Sequence, residues 1–196
     1  MNHLPDSPRR AQSLVRSVAI LAVLALGATA CSGDTTSSTP DASASDVAPD
    51  AKQAATALDA GLKAHSAGDL TTAASQYEET LTLDPTNKFA FYNLALIDEA
   101  SGNYGLAEEK YRSALETDGA YEPALFNLAI LRTSRDPQEA IQLYRRAVAS
   151  NATDAAAWLN LGLLLRAAGK KGDGDQAVLQ ALAINPELRD PASATR

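Results

Sequence analysis

The chain has 196 residues, 17 of them basic and 24 acidic, for a net charge of −7. That acidity gives no electrostatic footprint for nucleic acid. One cysteine and two histidines supply neither a disulfide framework nor a cysteine–histidine zinc site, so the fold must stand on side-chain packing.

Residues 1–30 read as a targeting segment. Arg9, Arg10 and Arg16 form a positive region, and Val18 to Ala28 is an apolar run of eleven residues. That run falls well short of the ~20 residues needed to span a bilayer. Leu26-Gly27-Ala28-Thr29-Ala30 leads into Cys31, and such small residues mark a signal-peptide cut, here after Ala30. The arrangement resembles the bacterial lipobox, with Ala28 where that motif usually has leucine. The resemblance implies covalent diacylglycerol and an N-acyl lipid on Cys31, and no other cofactor. It also implies a lipid anchor on the extracytoplasmic face of a bacterial cell membrane, since two or more acyl chains hold stably. An ordinary signal peptide would leave Cys31 as a free thiol. Gln12 and Ser13 after Arg9-Arg10 disfavour a twin-arginine signal.

Residues 31–49 follow as a lipidated linker. Ser32 to Pro49 is rich in Ser, Thr, Asp, Ala and Pro, without helical or strand period, and is expected to be a disordered tether. At ~5–6 Å × √n its typical span is on the order of 25 Å. Loss of residues 1–30 leaves 14 basic and 23 acidic residues, a net charge of −9, so acyl chains rather than attraction to anionic lipid would hold such a chain.

From about Asp50 to Glu187 the sequence repeats. Ala73 and Tyr77, Ala107 and Tyr111, and Ala140 and Tyr144 are pairs four residues apart, and Gly174 with Val178 makes a fourth; the second members are spaced by 34, 33 and 34 residues. Asn93, Asn127 and Asn160 recur at 34 and 33, each followed by leucine and a small residue. Small residues also align as Gly61, Ala95, Ala129 and Gly162, and as Thr80, Ala114, Ala147 and Ala181. Small side chains let helices approach, and the tyrosines one turn on fill the space beside them, so the tyrosine stripe is expected to be core. Asp69, Asn103, Asp136 and Asp173 are placed to cap second helices, and Gly68, Gly102 and Gly169 to end first helices. The third copy is one residue short at its turn, Ser134-Arg135-Asp136-Pro137. Eight helices in antiparallel pairs are predicted.

These columns resemble the tetratricopeptide repeat family, with Trp158-x2-Leu161-Gly162 matching the first part of its pattern and the Ala-x3-Tyr pairs the second. The resemblance implies an all-α, right-handed α-solenoid of about four helix hairpins, with repeats near 54–87, 88–121, 122–154 and 155–187 and a disordered tail from 188. There are departures. The family's aromatic late in the first helix is replaced by Ala64, Asp98, Arg132 and Leu165, and the first copy has Ala57 and Ala60 in place of its large pair. Gly169 to Gly174 reads as a soft loop, because glycine near a helix start costs up to ~1 kcal/mol. After Pro186 too little remains for a capping helix, which leaves the last helix open or covered by a partner.

Chemistry is sparse. No nucleophile–histidine–acid set can be assembled, Asp173-Gly174-Asp175 is a poor fragment of a calcium loop, and Gly169-Lys170-Lys171-Gly172 lacks phosphate-loop spacing. No catalytic or metal-ligating residue is predicted. The resemblance instead points to an inner surface made by the first helices. It carries Leu58, Tyr92, Phe126 and Leu159, then Leu62, Leu96, Ile130 and Leu163 one turn on, with Phe89 in front and Asn93, Asn127 and Asn160 at the edge. Such an apolar strip with polar edges holds an extended or helical partner segment. The expected function is a membrane-anchored scaffold or assembly factor of the bacterial cell envelope that binds a protein or peptide partner. A self-associating structural lipoprotein and a substrate-binding accessory subunit of an envelope enzyme or transporter are the alternatives.

Overall fold

The structure, a computed structural model, describes residues 49–190. The expected signal peptide, Cys31, the linker up to residue 48 and the last six residues lie outside the described residues.

Eight helices follow one another: α1 (Pro49–Ser66), α2 (Leu70–Leu83), α3 (Lys88–Ala100), α4 (Tyr104–Thr117), α5 (Glu122–Arg132), α6 (Pro137–Ser150), α7 (Ala155–Ala167) and α8 (Lys171–Ile184). Short turns fold them into four hairpins, α1–α2, α3–α4, α5–α6 and α7–α8. The hairpins join in series through α2–α3, α4–α5 and α6–α7. Each hairpin buries one face within itself and another against its neighbour, which is the construction of an α-solenoid.

Local chemistry sets the helix ends. Asp69 Oδ1 accepts from the Thr72 backbone N–H at 3.0 Å, Asp136 Oδ1 from that of Glu139 at 3.0 Å, and Asn103 holds the cap position of α4 without a side-chain bond. Gly68, Gly102 and Gly169 have φ near +80°, as expected of residues that end a helix in the left-handed region. The third hairpin turns without such a residue. Thr133 stays right-handed and the Asp136 N–H donates to Arg132 O at 2.7 Å, which absorbs the missing residue.

Two expectations about α8 are corrected. Its N-cap is Lys170, so Asp173 lies within the first turn, and residues 171–174 are helix rather than loop. The reason is contact. A Cβ on Gly174 would fall 2.7 Å from Gly162 O, and one on Gly162 would fall 2.8 Å from Gly174 O. Backbone meets backbone there, so the two glycines are required by packing and are no soft spot.

The predicted core is observed. Tyr77, Tyr111, Tyr144 and Val178 are buried, as are Ala73, Ala107 and Ala140 beside them and Thr80, Ala114, Ala147 and Ala181 a turn on. Trp158 packs at the joint between the third and fourth hairpins, and its indole Nε1 donates to Ala152 O at 3.0 Å. The end of the array also differs from expectation. Leu188 packs against Leu159, Val178 and Ala181, and Arg166 Nη1 donates to Asp190 Oδ1 at 2.8 Å. A non-helical strap therefore covers part of the last hairpin where an open face and a tail from 188 are expected, although Leu179 on α8 stays exposed.

Candidate functional site

The twelve predicted groove positions divide by depth. Leu62 (44% exposed) and Phe89 (45%) are open, and Leu58, Tyr92, Asn93, Leu96, Asn127, Ile130 and Leu163 are partly buried. Phe126 (9%), Leu159 (1%) and Asn160 (2%) are buried, which corrects their assignment to an open strip. Phe126 meets the Tyr144 ring edge-on at 5.8 Å, and Leu159 packs with Val178 and Ala181, so each side chain is taken up inside its own hairpin. Asn160 lies beside the Tyr144 hydroxyl without a hydrogen bond of good geometry. The most open positions of the face, Leu62 and Phe89, thus lie on α1 and α3.

There the side chains build an aromatic shelf. Tyr121, just before α5, stands edge-on to Phe89 at 5.7 Å and to Tyr92 at 5.4 Å. Lys88 Nζ lies 5.1 Å from the centroids of both Phe89 and Tyr121 and is 2.6 Å from Asp118 Oδ2. Asn127 Nδ2 donates to the Tyr92 hydroxyl at 3.2 Å, tying α5 to α3, whereas Asn93 Nδ2 donates back to Phe89 O at 2.8 Å. Burial pushes the Tyr92 hydroxyl up to about 12, against the Asn127 bond. A shallow depression lined by Asp84, Asn87, Lys88, Phe89 and Asp118 borders the shelf.

Tyr121 escapes the sequence reading although it stands in register. The cap column runs Asn87, Tyr121 and Asp154, with two residues that cap a helix through their side chains and one tyrosine whose side chain turns to the shelf instead. A second column, His65, Glu99 and Thr133, also recurs at 34 residues. Its members meet the core tyrosine hydroxyls: His65 Nδ1 is hydrogen-bonded to Tyr77 at 3.3 Å, Tyr111 donates to Glu99 Oε2 at 3.0 Å, and Thr133 lies beside Tyr144. Two of the four residues in place of the family's aromatic, Asp98 and Arg132, form ion pairs. Asp98 Oδ2 is 2.6 Å from Lys110, while Arg132 meets Glu139 at 2.6 Å and Glu108 at 3.2 Å.

One acidic pair stands apart. Glu122 opens α5 and Asp154 caps α7, with Asp154 Oδ1 accepting from the Ala156 and Ala157 N–H groups at 2.8 and 3.1 Å. Burial first, and then the neighbouring Asp154 carboxyl, push the Glu122 carboxyl up to about 7. Among the described residues no group of three or more His, Cys, Asp or Glu is placed to hold a metal, and no helix is long and apolar enough to cross a membrane.

Comparison with known proteins fits this geometry. A family model described as tetratricopeptide repeat matches residues 58–123 and 130–188. The photosystem I assembly protein Ycf3 of Cyanophora paradoxa is 38% identical over 85 residues, which cover 42% of this chain and 49% of that protein. The protein of the same name from Synechococcus elongatus is 34% identical over 74 residues, 36% of this chain and 43% of its own. The chain therefore spans about half, or less, of the length of these relatives. Among solved structures, a MamA protein aligns with TM-score 0.60 at 26% identity, covering 69% of this chain and 74% of MamA. PilF of Pseudomonas aeruginosa aligns with TM-score 0.61 at 22% identity, covering 71% and 64%, a likeness of fold alone. The relatives correct one expectation. Placement on the extracytoplasmic face of a bacterial membrane, drawn from residues 1–31, is overturned because the matching proteins are photosystem I assembly proteins, not envelope lipoproteins. With four hairpins in register, a buried Ala–Tyr column and a family model matched along most of the helical region, the chain belongs to the tetratricopeptide repeat family.

Proposed function

We propose that this array is a binding scaffold that holds a segment of a protein partner on the first-helix face, in the service of assembling a larger complex. The role is one of binding and not of catalysis. The observation that carries it is Phe89, a large aromatic left 45% exposed while the edge-on Tyr121 ring, itself packed on Tyr92, holds it in an ordered shelf. An exposed aromatic held by rigid neighbours loses little entropy on binding, which is the character of an interface anchor. The assembly sense of the proposal comes from the relatives, which are named as photosystem I assembly proteins and align over less than half of this chain.

The test is site-specific crosslinking in cells. A photoreactive residue at Phe89 is expected to capture a defined partner band that one at the exposed Leu106 on α4 does not. In an array carrying the probe at Leu62, Phe89→Asp should abolish capture, with the helical circular dichroism unchanged. Equal capture at Phe89 and Leu106, or capture retained by the aspartate variant, removes the face from the mechanism.

Acylation of the Cys31 sulfur is a separate proposal about chemistry and implies no compartment. It is supported by the small residues Gly27 to Ala30 before the cysteine. A fatty-acid probe should label the chain and not its Cys31→Ser variant; equal labelling of both discards the idea.

A further inference from the structure

One outward column of the second helices changes character in the last hairpin. It holds Glu78 on α2, Arg112 on α4 and Arg145 on α6, and then Leu179 on α8. At 59%, Leu179 is the most exposed large apolar side chain among the described residues. Leu182, one turn on, is only partly covered, and Ala183 beside it is exposed. The strap meets α8 through Leu188 and leaves Leu179 open. Charge flanks this apolar centre on both sides. Lys171 opens α8 and Glu187 follows its end, and both are exposed. The ion pairs at this end of the array, Arg166 with Asp175 and with Asp190, leave both of them out. With 14 residues at ~1.5 Å each, the ends of α8 are about 20 Å apart, too far for the two charges to meet within one chain.

We infer that this end of the array binds a second copy of the chain, with the two α8 helices antiparallel about a two-fold axis at Leu179. Lys171 stands eight residues before Leu179 and Glu187 eight after it. The two-fold therefore brings each lysine to the Glu187 of the other copy while the two Leu179 side chains cover each other. Opposite charges at matched distances from an apolar centre are what an isologous contact needs, since one surface must complement itself. Asp173 beside Lys171 and Arg189 beside Glu187 are again opposite in sign. Stacking of α8 on the α1 end of another copy fits less well. At the interior joints the first helices carry the buried pairs Ala90 and Leu94, Ala124 and Leu128, and Ala157 and Leu161. In those positions α1 has the exposed Thr56 and the smaller Ala60. A single pair of helices buries less than a stable dimer interface does, so the association is weak and depends on concentration. Phe89 and its shelf take no part in this contact, which stands or falls apart from the proposed partner face.

The experiment is crosslinking of the full chain in cells. Cys31→Ser removes the single native cysteine, and Gln180→Cys places a thiol at an exposed position beside Leu179, which stays intact. A short bismaleimide should then give a band at twice the mass of the chain. Leu106→Cys, at an exposed position on α4, should not give it. Leu179→Asp in the Gln180→Cys chain should abolish the band. Lys171→Glu alone or Glu187→Lys alone should weaken it by about threefold or more, because two symmetric pairs are lost at once. The two reversals together in one chain should restore it. Absence of the band, equal bands from Gln180→Cys and Leu106→Cys, or a band that survives Leu179→Asp overturns the interface. A band that ignores the single reversals, or that the double reversal fails to restore, overturns the antiparallel pairing. A crosslink to a protein of another mass makes the occupant a distinct partner and overturns the second copy.

Discussion

A methyl group added at Gly162 would fall 2.7 Å from Val178 Cγ2 and 2.8 Å from the Gly174 carbonyl. The first contact can be relieved by a side chain that turns, but the second is backbone. Gly162→Ala must therefore push α8 away from α7. Overpacking of that kind costs about 1–3 kcal/mol, and the expected result is a lower denaturation midpoint without loss of helix at 20 °C. An unchanged midpoint would mean that the helices separate freely. The tyrosine hydroxyls give a second test at this scale. Tyr111→Phe removes the donor to Glu99 and leaves the packing volume nearly intact, so a loss of about 1 kcal/mol is expected from chemical denaturation. In the Tyr111→Phe, Glu99→Ala double variant the two losses should not add.

At the scale of helices, the joint between the second and third hairpins is electrostatic as well as apolar. Glu108 on α4, Arg132 on α5 and Glu139 on α6 meet there, with Arg112 bridging both acids at 2.9 and 2.7 Å. Burial opposes ionisation of Glu108, but Arg112 and Arg132 outweigh it and hold its carboxyl below the usual range. Arg132→Leu leaves the two acids with Arg112 and, for Glu108, the more distant Arg135 at 3.9 Å, and hydrogen exchange should quicken at the ends of α4 and α6 while α1 and α2 are unaffected. Uniform quickening would instead indicate loss of the whole fold. This joint also shows what sequence alone conveys. The Ala–Tyr and Asn columns locate every hairpin, because close packing admits only small residues at the crossings and period does the rest. Arg132 is visible there only as a missing aromatic. Its closest partners, Glu108 and Glu139, lie 24 residues back and seven forward, and no periodic column brings those positions together. The groove residues divide for a similar reason. Column membership puts Phe126 and Tyr92 on one face, but how much of each its surroundings cover depends on the fold. Tyr121 stays hidden because a tyrosine at a cap position gives no capping signal.

For the whole molecule, the titrating groups predict the shape of the stability curve. Glu122 is raised by burial and by Asp154, so the folded state binds more protons than the unfolded state between the ordinary glutamate value and about 7. Stability from this group is fully present below that window and is lost as pH rises through it. Glu108 is lowered, so its contribution is present above the ordinary range and is lost as pH falls. Unfolding free energy should therefore decline as pH rises from the ordinary glutamate range to about 7, by about 1 kcal/mol after solvent screening. Glu122→Gln should flatten that decline; an unchanged slope would assign it to other groups.

Trp158 is the chain's single tryptophan, and it sits at the joint of the third and fourth hairpins with its indole N–H held by Ala152 O. Its emission is thus a local dye for that joint, built into the protein. A stacked array can lose its end units before its middle, since each hairpin leans only on its neighbours. The emission maximum should shift to the red at a lower denaturant concentration than the loss of ellipticity if the α7–α8 end opens first. Coincident curves would show that the four hairpins melt as one body, with the strap at Leu188 and Asp190 as firm a boundary as the tyrosine joints inside.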